Sequence, residues 1–362
     1  MSKSRNQIRD EMTGLLLRGG LIGLIAFALA VAFMAVPRQI GNIWPTESAQ
    51  SGFRGTGMDW IRFDSQVARL EEANVLPETL DPPIPPEPGE ALAGEIYENV
   101  QLLGHLTDAN FNRLMLAITE WVSPEQGCAY CHGEDGNFAS DDVYAKVVAR
   151  HMIEMTWAIN EDWDVHVAQT GVTCWTCHRG NNVPQNVWFL PEPNSRWAGP
   201  TPRYQNRAMA MNYSTALPTD AMQIYLLEAN QPVGVHGTTP RNPGQPGASI
   251  LHTYQTFSLM QHFSNGLGVN CTYCHNTRAL AELDQSTPQW SVAQIGRAMV
   301  QTINNDYILP TQDLVPATRL GPMGDIAKAN CATCHQGAPK PLLGQSMLPD
   351  WPELASSQPV YQ

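Results

Sequence analysis

Residues 150–180 read RHMIEMTWAINEDWDVHVAQTGVTCWTCHRG, and the end of this stretch decides the fold. It closes on Cys174-Trp-Thr-Cys177-His178, the Cys-x-x-Cys-His spacing that attaches a c-type haem. Two thiols three residues apart can each form a thioether with one haem vinyl group, and the adjacent histidine can then bind the iron from one face. The stretch therefore predicts a covalently bound haem, around which the neighbouring residues must pack.

The same motif occurs four times and uses all eight cysteines of the chain. A single Cys-x-x-Cys pair is also compatible with a redox dithiol or half of a zinc site. Neither interpretation explains four histidines in the same place, so we predict four covalently bound haem c groups. Their thioether positions are Cys128, Cys131, Cys174, Cys177, Cys271, Cys274, Cys331 and Cys334, and their proximal iron ligands are His132, His178, His275 and His335.

Three methionines are candidates for the second axial ligand of the first three haems. Met115, Met152 and Met260 each precede the first cysteine of their own motif, the first, second and third in chain order. Each lies in a helical pattern upstream of that motif, where a helix packed on the haem would place one side chain over the iron. A methionine on an apolar helix face usually only fills space. Three methionines in the same relation to three motifs favour the ligand interpretation.

The distal ligand of the fourth haem is left open by the spacing. Met152 and His166 are far enough apart in the chain to be separated by about 21 Å along a continuous helix, so they cannot share one iron. Met299 matches Met152 in the second half but lies further before its motif than the other methionines do, and His166 would have to cross between the halves. The remaining histidines are weaker candidates: His151 and His262 point away from the neighbouring methionines, and His105, His236 and His252 are interpreted as surface or core polar residues.

Periodicity and composition predict a mainly α fold with extensive irregular loops. Apolar residues recur at helical spacing over residues 107–122, 143–160, 249–266 and 291–307, whereas 28 glycines and 28 prolines indicate long loops. The longest interval between motifs lies between the second and the third, so the motifs form two pairs. Because Arg150-His-Met152 and Arg297-Ala-Met299 sit at matching places, we predict two duplicated dihaem halves.

An uncharged apolar run, Gly19–Val36, is just long enough to span a membrane. Four basic residues precede it against two acidic ones, which predicts a cytoplasmic amino terminus and a periplasmic body. A cleaved signal peptide is the alternative, because Ala28-Leu-Ala30 and Ala30-Val-Ala32 resemble cleavage sites. We expect a retained single-pass anchor.

These features divide the chain into seven segments. A net charge of −13 argues against a nucleic-acid partner for any of them, since phosphate binding needs a basic surface. In chain order we predict a cytoplasmic amino terminus (1–18), a transmembrane anchor (19–37), an extended proline-rich arm (38–100), a first dihaem half (101–183), a proline-rich connection (184–248), a second dihaem half (249–340) and a carboxyl-terminal tail (341–362).

Four stretches give the sequence a specific resemblance. They are Gly52-Phe-Arg-Gly-Thr-Gly-Met58, Ala117-Ile-Thr-Glu-Trp-Val-Ser-Pro124, His166-Val-Ala-Gln-Thr-Gly-Val-Thr-Cys174 and Cys331-Ala-Thr-Cys-His-Gln-Gly337. With them the chain resembles the tetrahaem cytochrome subunit of purple-bacterial photosynthetic reaction centres, from about Gly52 to Leu354. The resemblance implies three His/Met haems and one His/His haem. It assigns His166 to the fourth haem and leaves Met299 as a packing residue.

The resemblance also implies a function and partners. The chain would be an electron-transfer subunit rather than an enzyme, in the bacterial inner (photosynthetic) membrane with its haem body in the periplasm. It would relay electrons from a soluble donor, a cytochrome c or high-potential iron–sulfur protein, to the photo-oxidised bacteriochlorophyll special pair. Its other partners would be the bacteriochlorophyll-carrying core subunits, the membrane and a light-harvesting complex. The alternatives are a membrane-anchored tetrahaem quinol dehydrogenase and a multihaem reductase with an open iron.

Overall fold

The region that contains the Cys-x-x-Cys-His motifs is built on four helices of 15 to 19 residues. The computed structural model describes residues 5–39, 46–51, 58–77, 82–192, 204, 217–228, 233, 234 and 249–361. Most of the predicted proline-rich connection, the stretch 52–57 and His236 lie outside the described residues. The chain folds as two compact units, residues 1–49 with 59–68 and residues 50–58 with 69–362.

The structure is mainly helical. Its helices are α1 (Arg5–Gln39), α2 (Asp64–Ala73), α3 (Ala93–Ile96), α4 (Asp108–Val122), α5 (Ala129–His132), α6 (Tyr144–Asp162), α7 (Asp164–Val167), α8 (Cys174–His178), α9 (Ala221–Leu226), α10 (Ile250–Leu267), α11 (Pro288–Thr302), α12 (Cys331–His335) and α13 (Pro352–Ala355). Strands β1 (Thr46–Ser51) and β2 (Met58–Phe63) form a two-stranded sheet. Short 3₁₀ segments link the later helices, and a π-helical segment, Ile303–Ile308, extends α11.

All four helical patterns predicted from the sequence are confirmed, as α4, α6, α10 and α11 with its π-helical extension. Their ends follow ordinary capping rules. Thr107 caps α4 by accepting a hydrogen bond from the backbone N–H of Asn110 at 3.4 Å. Pro288 begins α11, where its missing N–H would have no intrahelical partner.

Helix α1 is the one described helix that is long and apolar enough to cross a membrane. Its apolar part, Met12–Phe33, is 22 residues long and exposed along its length. An exposed apolar helix of this length is what a membrane anchor requires, because the bilayer interior solvates its side chains and the helix satisfies its own backbone. The predicted anchor lies within α1, and its orientation stays a prediction.

The arm predicted to be extended contains two short helices in the structure, the single turn α3 and the longer α2, which is the decapeptide 64–73. The difference has a local cause: this decapeptide, DSQVARLEEA, contains neither proline nor glycine, and Asp64 lies in its first turn. The proline-rich part after residue 81 has no helix before α3, as its composition predicts.

The largest apolar core joins α4 and α6 to the carboxyl-terminal segment. Leu114 and Trp121 of α4 and Trp157 of α6 are buried in it. Leu342, Met347, Trp351 and Leu354 from the end of the chain belong to the same cluster. The segment predicted as a tail therefore completes the core of the first half, a contact that the sequence did not predict.

Two smaller cores lie in the second half and between the halves. Leu259 and Phe263 of α10 pack with Trp188, Tyr225 and Val300. A third cluster combines residues of α6 and α11 and the chain around them: Ile159, Val172, Met299 and Ile303. The third cluster joins the two halves, and this contact brings the end of α6 and α7 against α11.

Candidate haem-binding sites

Each Cys-x-x-Cys-His motif folds into a single helical turn. Motifs one, two and four form α5, α8 and α12, and motif three begins with the 3₁₀ turn Cys271–Tyr273. In motif one the backbone N–H of His132 donates to the carbonyl of Cys128 at 3.0 Å, and His275 does the same to Cys271 at 2.9 Å. Residues i, i+3 and i+4 share one helix face, so each turn presents two thiols and an imidazole together.

Motifs two and four have the same geometry around their histidines. Nδ1 of His178 lies 2.8 Å from the carbonyl oxygen of Asn181, and Nδ1 of His335 lies 2.9 Å from that of Ala338. A carbonyl only accepts hydrogen bonds, so Nδ1 carries the proton and donates it in both cases. Nε2 is left with its lone pair, which is the tautomer that a metal-binding histidine needs.

Burial keeps the imidazoles of motifs two and four neutral and their unattached thiols protonated. Burial lowers the pKa of the His335 imidazole to about 4, and it also lowers the pKa of His178. Both imidazoles are therefore neutral at pH 7, and neutral imidazole is the form that binds metal ions. Burial likewise raises the pKa values of the Cys174 and Cys331 thiols to about 12, so the unattached thiols are protonated.

A cavity of about 520 Å³ lies beside motif one. Met115 and the motif residues Cys128, Cys131 and His132 all line it. The ring of His132 packs on Phe138, with centroids 4.9 Å apart. A flat apolar cofactor that needs one sulfur or nitrogen ligand on each face fits a space with this lining, so the residues at motif one fit a haem.

Two basic side chains also line this cavity, and sequence reasoning missed them as site residues. Lys146 donates from Nζ to the carbonyls of Phe138, Ala139 and Ser140 at 2.8 to 3.0 Å. Arg150 pairs with Asp141 at 2.8 Å, and that pairing holds the pKa of the Asp141 carboxyl well below its usual range. The sequence showed Arg150 only as part of the internal repeat.

Met115 and Met152 occupy matching positions on α4 and α6. Both are half-buried, and in both cases the hydroxyl of the threonine four residues later donates to the methionine carbonyl at 2.8 Å. The first of these threonines, Thr119, also lies 4.0 Å from the Cys128 sulfur. The face of α4 that carries Met115 is therefore the face turned toward motif one.

The described contacts of Met260 and His275, the predicted ligands at motif three, do not link the two residues to each other. Met260 packs at the edge of the α10 cluster that contains Leu259 and Phe263. Nδ1 of His275 is buried without a hydrogen-bond partner among the described residues. Whether Met260 and His275 bind the same iron stays a prediction.

His166 faces the histidine of motif four across the boundary between the halves. The two rings have centroids 6.2 Å apart and planes inclined by 69°. Two metal–imidazole bonds of about 2 Å each, plus roughly 1 Å from each nitrogen to its ring centre, require about 6 Å. Nδ1 of His166 lies 3.0 Å from the carbonyl of Val292 in α11, which again leaves Nε2 with the lone pair.

Met299, the competing candidate, is 6% exposed and packs against Ile159, Val172 and Ile303 in the third cluster. His262 is 2% exposed, and neither of its ring nitrogens has a hydrogen-bond partner among the described residues. His151 is half-buried and lies 3.7 Å from Glu154. The arrangement around motif four therefore favours His166 over Met299.

Motifs two and four also lie against each other. The sulfur atoms of Cys177 and Cys334 are 2.9 Å apart, although the residues are separated by 157 positions in the chain. The last motif of the first half, motif two, therefore contacts the last motif of the second half, motif four, although the two are far apart in the sequence.

Comparison with known proteins agrees with this site chemistry. The family model described as "Photosynthetic reaction centre cytochrome C subunit" matches residues 42–355. The chain is 48% identical over 358 residues to the photosynthetic reaction center cytochrome c subunit of Roseobacter denitrificans, covering 94% of each chain. It is 45% identical to that of Rubrivivax gelatinosus, over 86% of this chain and 84% of the relative.

The subunit of Thermochromatium tepidum is 43% identical over 86% of this chain and 75% of its own length. The resemblance predicted from the four sequence stretches is thereby confirmed. Covalently bound haem c follows from membership of a cytochrome c family whose attachment motif the chain carries. The chain belongs to the family of photosynthetic reaction centre cytochrome c subunits.

Proposed function

We propose that the chain carries four haem c groups and relays electrons through them to the photo-oxidised bacteriochlorophyll pair of a reaction centre. The observation that carries the proposal is the folding of all four Cys-x-x-Cys-His motifs into turns that present two thiols and an imidazole on one side. Family membership supports electron transfer to a reaction centre rather than enzymatic bond chemistry. When bound, each haem supplies a one-electron iron couple.

The protein's part is to close both axial positions of every iron. We propose the pairs Met115 with His132, Met152 with His178, Met260 with His275, and His166 with His335. Two protein ligands leave no position for a substrate, which suits an electron carrier. The motif-one cavity and the facing rings at motif four support two of these pairs, and the matching position of Met152 supports a third.

The contact between Cys177 and Cys334 supports a route between the halves. Thioether sulfurs lie at the haem edge, so two attached groups at these cysteines would approach each other closely. Electrons could then pass from one half to the other without leaving the protein.

We further propose that the two halves arose by duplication. Asn160 in the last turn of α6 and Asn304 in the π-helical extension of α11 make the same contact: each side-chain oxygen accepts a hydrogen bond at 2.8 Å, from the backbone N–H of Val172 and Ala329 respectively. Both acceptors fix the backbone two residues before a motif's first cysteine. The residues after the motif histidines, Arg179 and Gln336, both adopt the left-handed conformation. Unrelated halves would have no reason to share these details.

The setting follows from α1 and from the family. We propose that α1 anchors the chain in the bacterial inner membrane with the haem body in the periplasm, beside core subunits that carry bacteriochlorophyll. A soluble cytochrome c or high-potential iron–sulfur protein would supply the electrons, and a light-harvesting complex would be a further neighbour. The tetrahaem quinol dehydrogenase alternative is not favoured, because the relatives described above are reaction centre subunits.

Flash spectroscopy on purified complexes tests the relay. After a flash oxidises the bacteriochlorophyll pair, a haem of this chain should be oxidised as the pair recovers, before any soluble donor responds. The resemblance to the family points to the haem at Cys271 as the terminal donor. Complexes stripped of the chain are the control. Equally fast recovery without the chain, and no haem oxidation with it, would refute the function.

A further inference from the structure

The ring of His166 lies directly on the backbone of α11. A Cβ atom added at Gly296 would lie 2.2 Å from Cε1 of His166 and 2.8 Å from both of its ring nitrogens. Ordinary van der Waals contact begins at about 3.4 Å, so no side chain larger than hydrogen fits there while the ring keeps its place. Gly296 itself is buried.

Helix geometry gives no other reason for glycine at this position. Gly296 is not among the glycines with positive φ, and it lies in the interior of a 15-residue helix. Glycine in a helix interior destabilises the helix by roughly 1 kcal/mol relative to alanine. The close approach of the His166 ring is the one feature of its described surroundings that requires the missing Cβ.

The same turn of α11 also fixes the direction of the ring. Val292 is four residues before Gly296, and its carbonyl oxygen lies 3.0 Å from Nδ1 of His166. The carbonyl holds the proton on Nδ1, and the absence of a Cβ at Gly296 allows the ring to approach the helix backbone closely. With the proton on Nδ1, Nε2 keeps its lone pair, and the centroid of the His335 ring lies 6.2 Å from that of His166.

We propose that the turn Val292–Gly296 is a seat for the distal histidine of the fourth haem, and that Gly296 is a positioning residue for that haem. The inference rests on the proposed pairing of His166 with His335. The seat selects the tautomer through Val292 and the position through Gly296. The distal ligand of the fourth haem is thus His166 from the first half and not Met299 of α11, and α11 holds the His166 ring in place.

The first test replaces the glycine in the haem-loaded protein. Gly296→Ala should push the ring away by more than 1 Å, since the contact would otherwise be that much shorter than ordinary van der Waals distance. Metal–ligand distances tolerate only about 0.2 Å, so one haem should turn from low-spin to high-spin. Electron paramagnetic resonance measures this change, and the three remaining low-spin signals report that the variant has folded. Ser291→Ala, at an exposed position of the same helix, is the matched control and should change nothing.

His166→Ala separates the seat from the ligand. It should produce the same single high-spin haem as Gly296→Ala. If His166→Ala produces that haem and Gly296→Ala leaves all four low-spin, the seat is refuted and the ligand assignment stands. If His166→Ala itself leaves four low-spin haems, the ligand assignment fails and the seat fails with it.

A second pair of variants avoids any steric threat to folding. In His166→Ala, added imidazole should occupy the vacated space and restore the low-spin spectrum. The double variant His166→Ala/Gly296→Ala has no ring to clash with, yet its new Cβ would intrude on the imidazole. Overlap of this kind should weaken imidazole binding by about tenfold or more. Equal imidazole affinity in the single and double variants would overturn the seat.

Discussion

Replacement of Glu353 by glutamine should strongly destabilise the first half of the haem body. Glu353 is 1% exposed and Arg113 is 7% exposed. A guanidinium nitrogen of Arg113 lies 2.8 and 3.0 Å from the two carboxylate oxygens of Glu353. The guanidinium also donates to the carbonyl of Asp350 at 2.8 Å and lies 3.9 Å from the ring centre of Trp351. The pair is thus enclosed, and Glu353→Gln leaves the arginine charge without its counter-ion.

Removing one partner of a buried ion pair costs about 3–5 kcal/mol, because the remaining charge is uncompensated. We therefore expect Glu353→Gln to lower the free energy of unfolding by about that amount. Replacing both partners by apolar residues, as in Arg113→Met/Glu353→Leu, removes both charges and should cost less than the single change. The destabilisation should also extend to α6, the helix that carries Met152, because Trp157 of α6 donates from Nε1 to the Glu353 carbonyl at 2.8 Å.

Urea unfolding of the detergent-solubilised, haem-loaded chain, followed by circular dichroism, measures the free energies. Glu125→Gln, at an exposed position, is the matched control and should stay within about 0.5 kcal/mol of the parent. The absorbance of the methionine-bound haems during the same titration shows which site loosens first. The reasoning is refuted if Glu353→Gln costs less than about 1 kcal/mol, or if the double variant is as unstable as the single one.

Three further experiments test other parts of the structure. Met299→Leu should leave all four haems low-spin, because Met299 packs in the third cluster; a high-spin haem in this variant would make Met299 a ligand. Burial raises the pKa of Asp220 to about 6, so the folded state binds a proton more tightly than the unfolded state does. The free energy of unfolding should therefore fall by up to about 3 kcal/mol as pH rises from about 4 to about 6. Urea titrations at several pH values should show this slope, and Asp220→Asn, which keeps a hydrogen-bond acceptor for Gln255, should abolish it. Intact-mass measurement should find α1 retained in the mature chain, whereas a start near residue 31 or 33 would show cleavage.

The parts of the fold that local sequence determines were predictable. Each Cys-x-x-Cys-His motif forms a helical turn within five residues, and each long helix follows its own apolar periodicity. Proline content also correctly marked the non-helical stretch before α3. Helix α2 was missed because the surrounding arm is rich in helix-breaking residues and its ten-residue pattern is short.

The long-range contacts were beyond the sequence pattern. Spacing alone left both Met299 and His166 open as candidates, because the contact of His166 with α11 spans 126 residues. Gly296 was visible as a glycine in a helical pattern, but its neighbour could not be inferred. Such a choice depends on how separate helices pack, and one-dimensional periodicity describes each helix by itself.

The position of the carboxyl-terminal segment has a consequence for the order of biogenesis. Synthesis proceeds from the amino terminus, so α4 and α6 exist long before Trp351 and Leu354, which complete their core. Glu353, the counter-ion of Arg113, is synthesised 240 residues after it. Until the last residues arrive, the first two attachment motifs belong to an open, incompletely packed chain, and closing so long a loop is slow. Cys174 packs against this core and is half-buried in the finished fold, so this interval leaves its thiol more accessible for haem attachment.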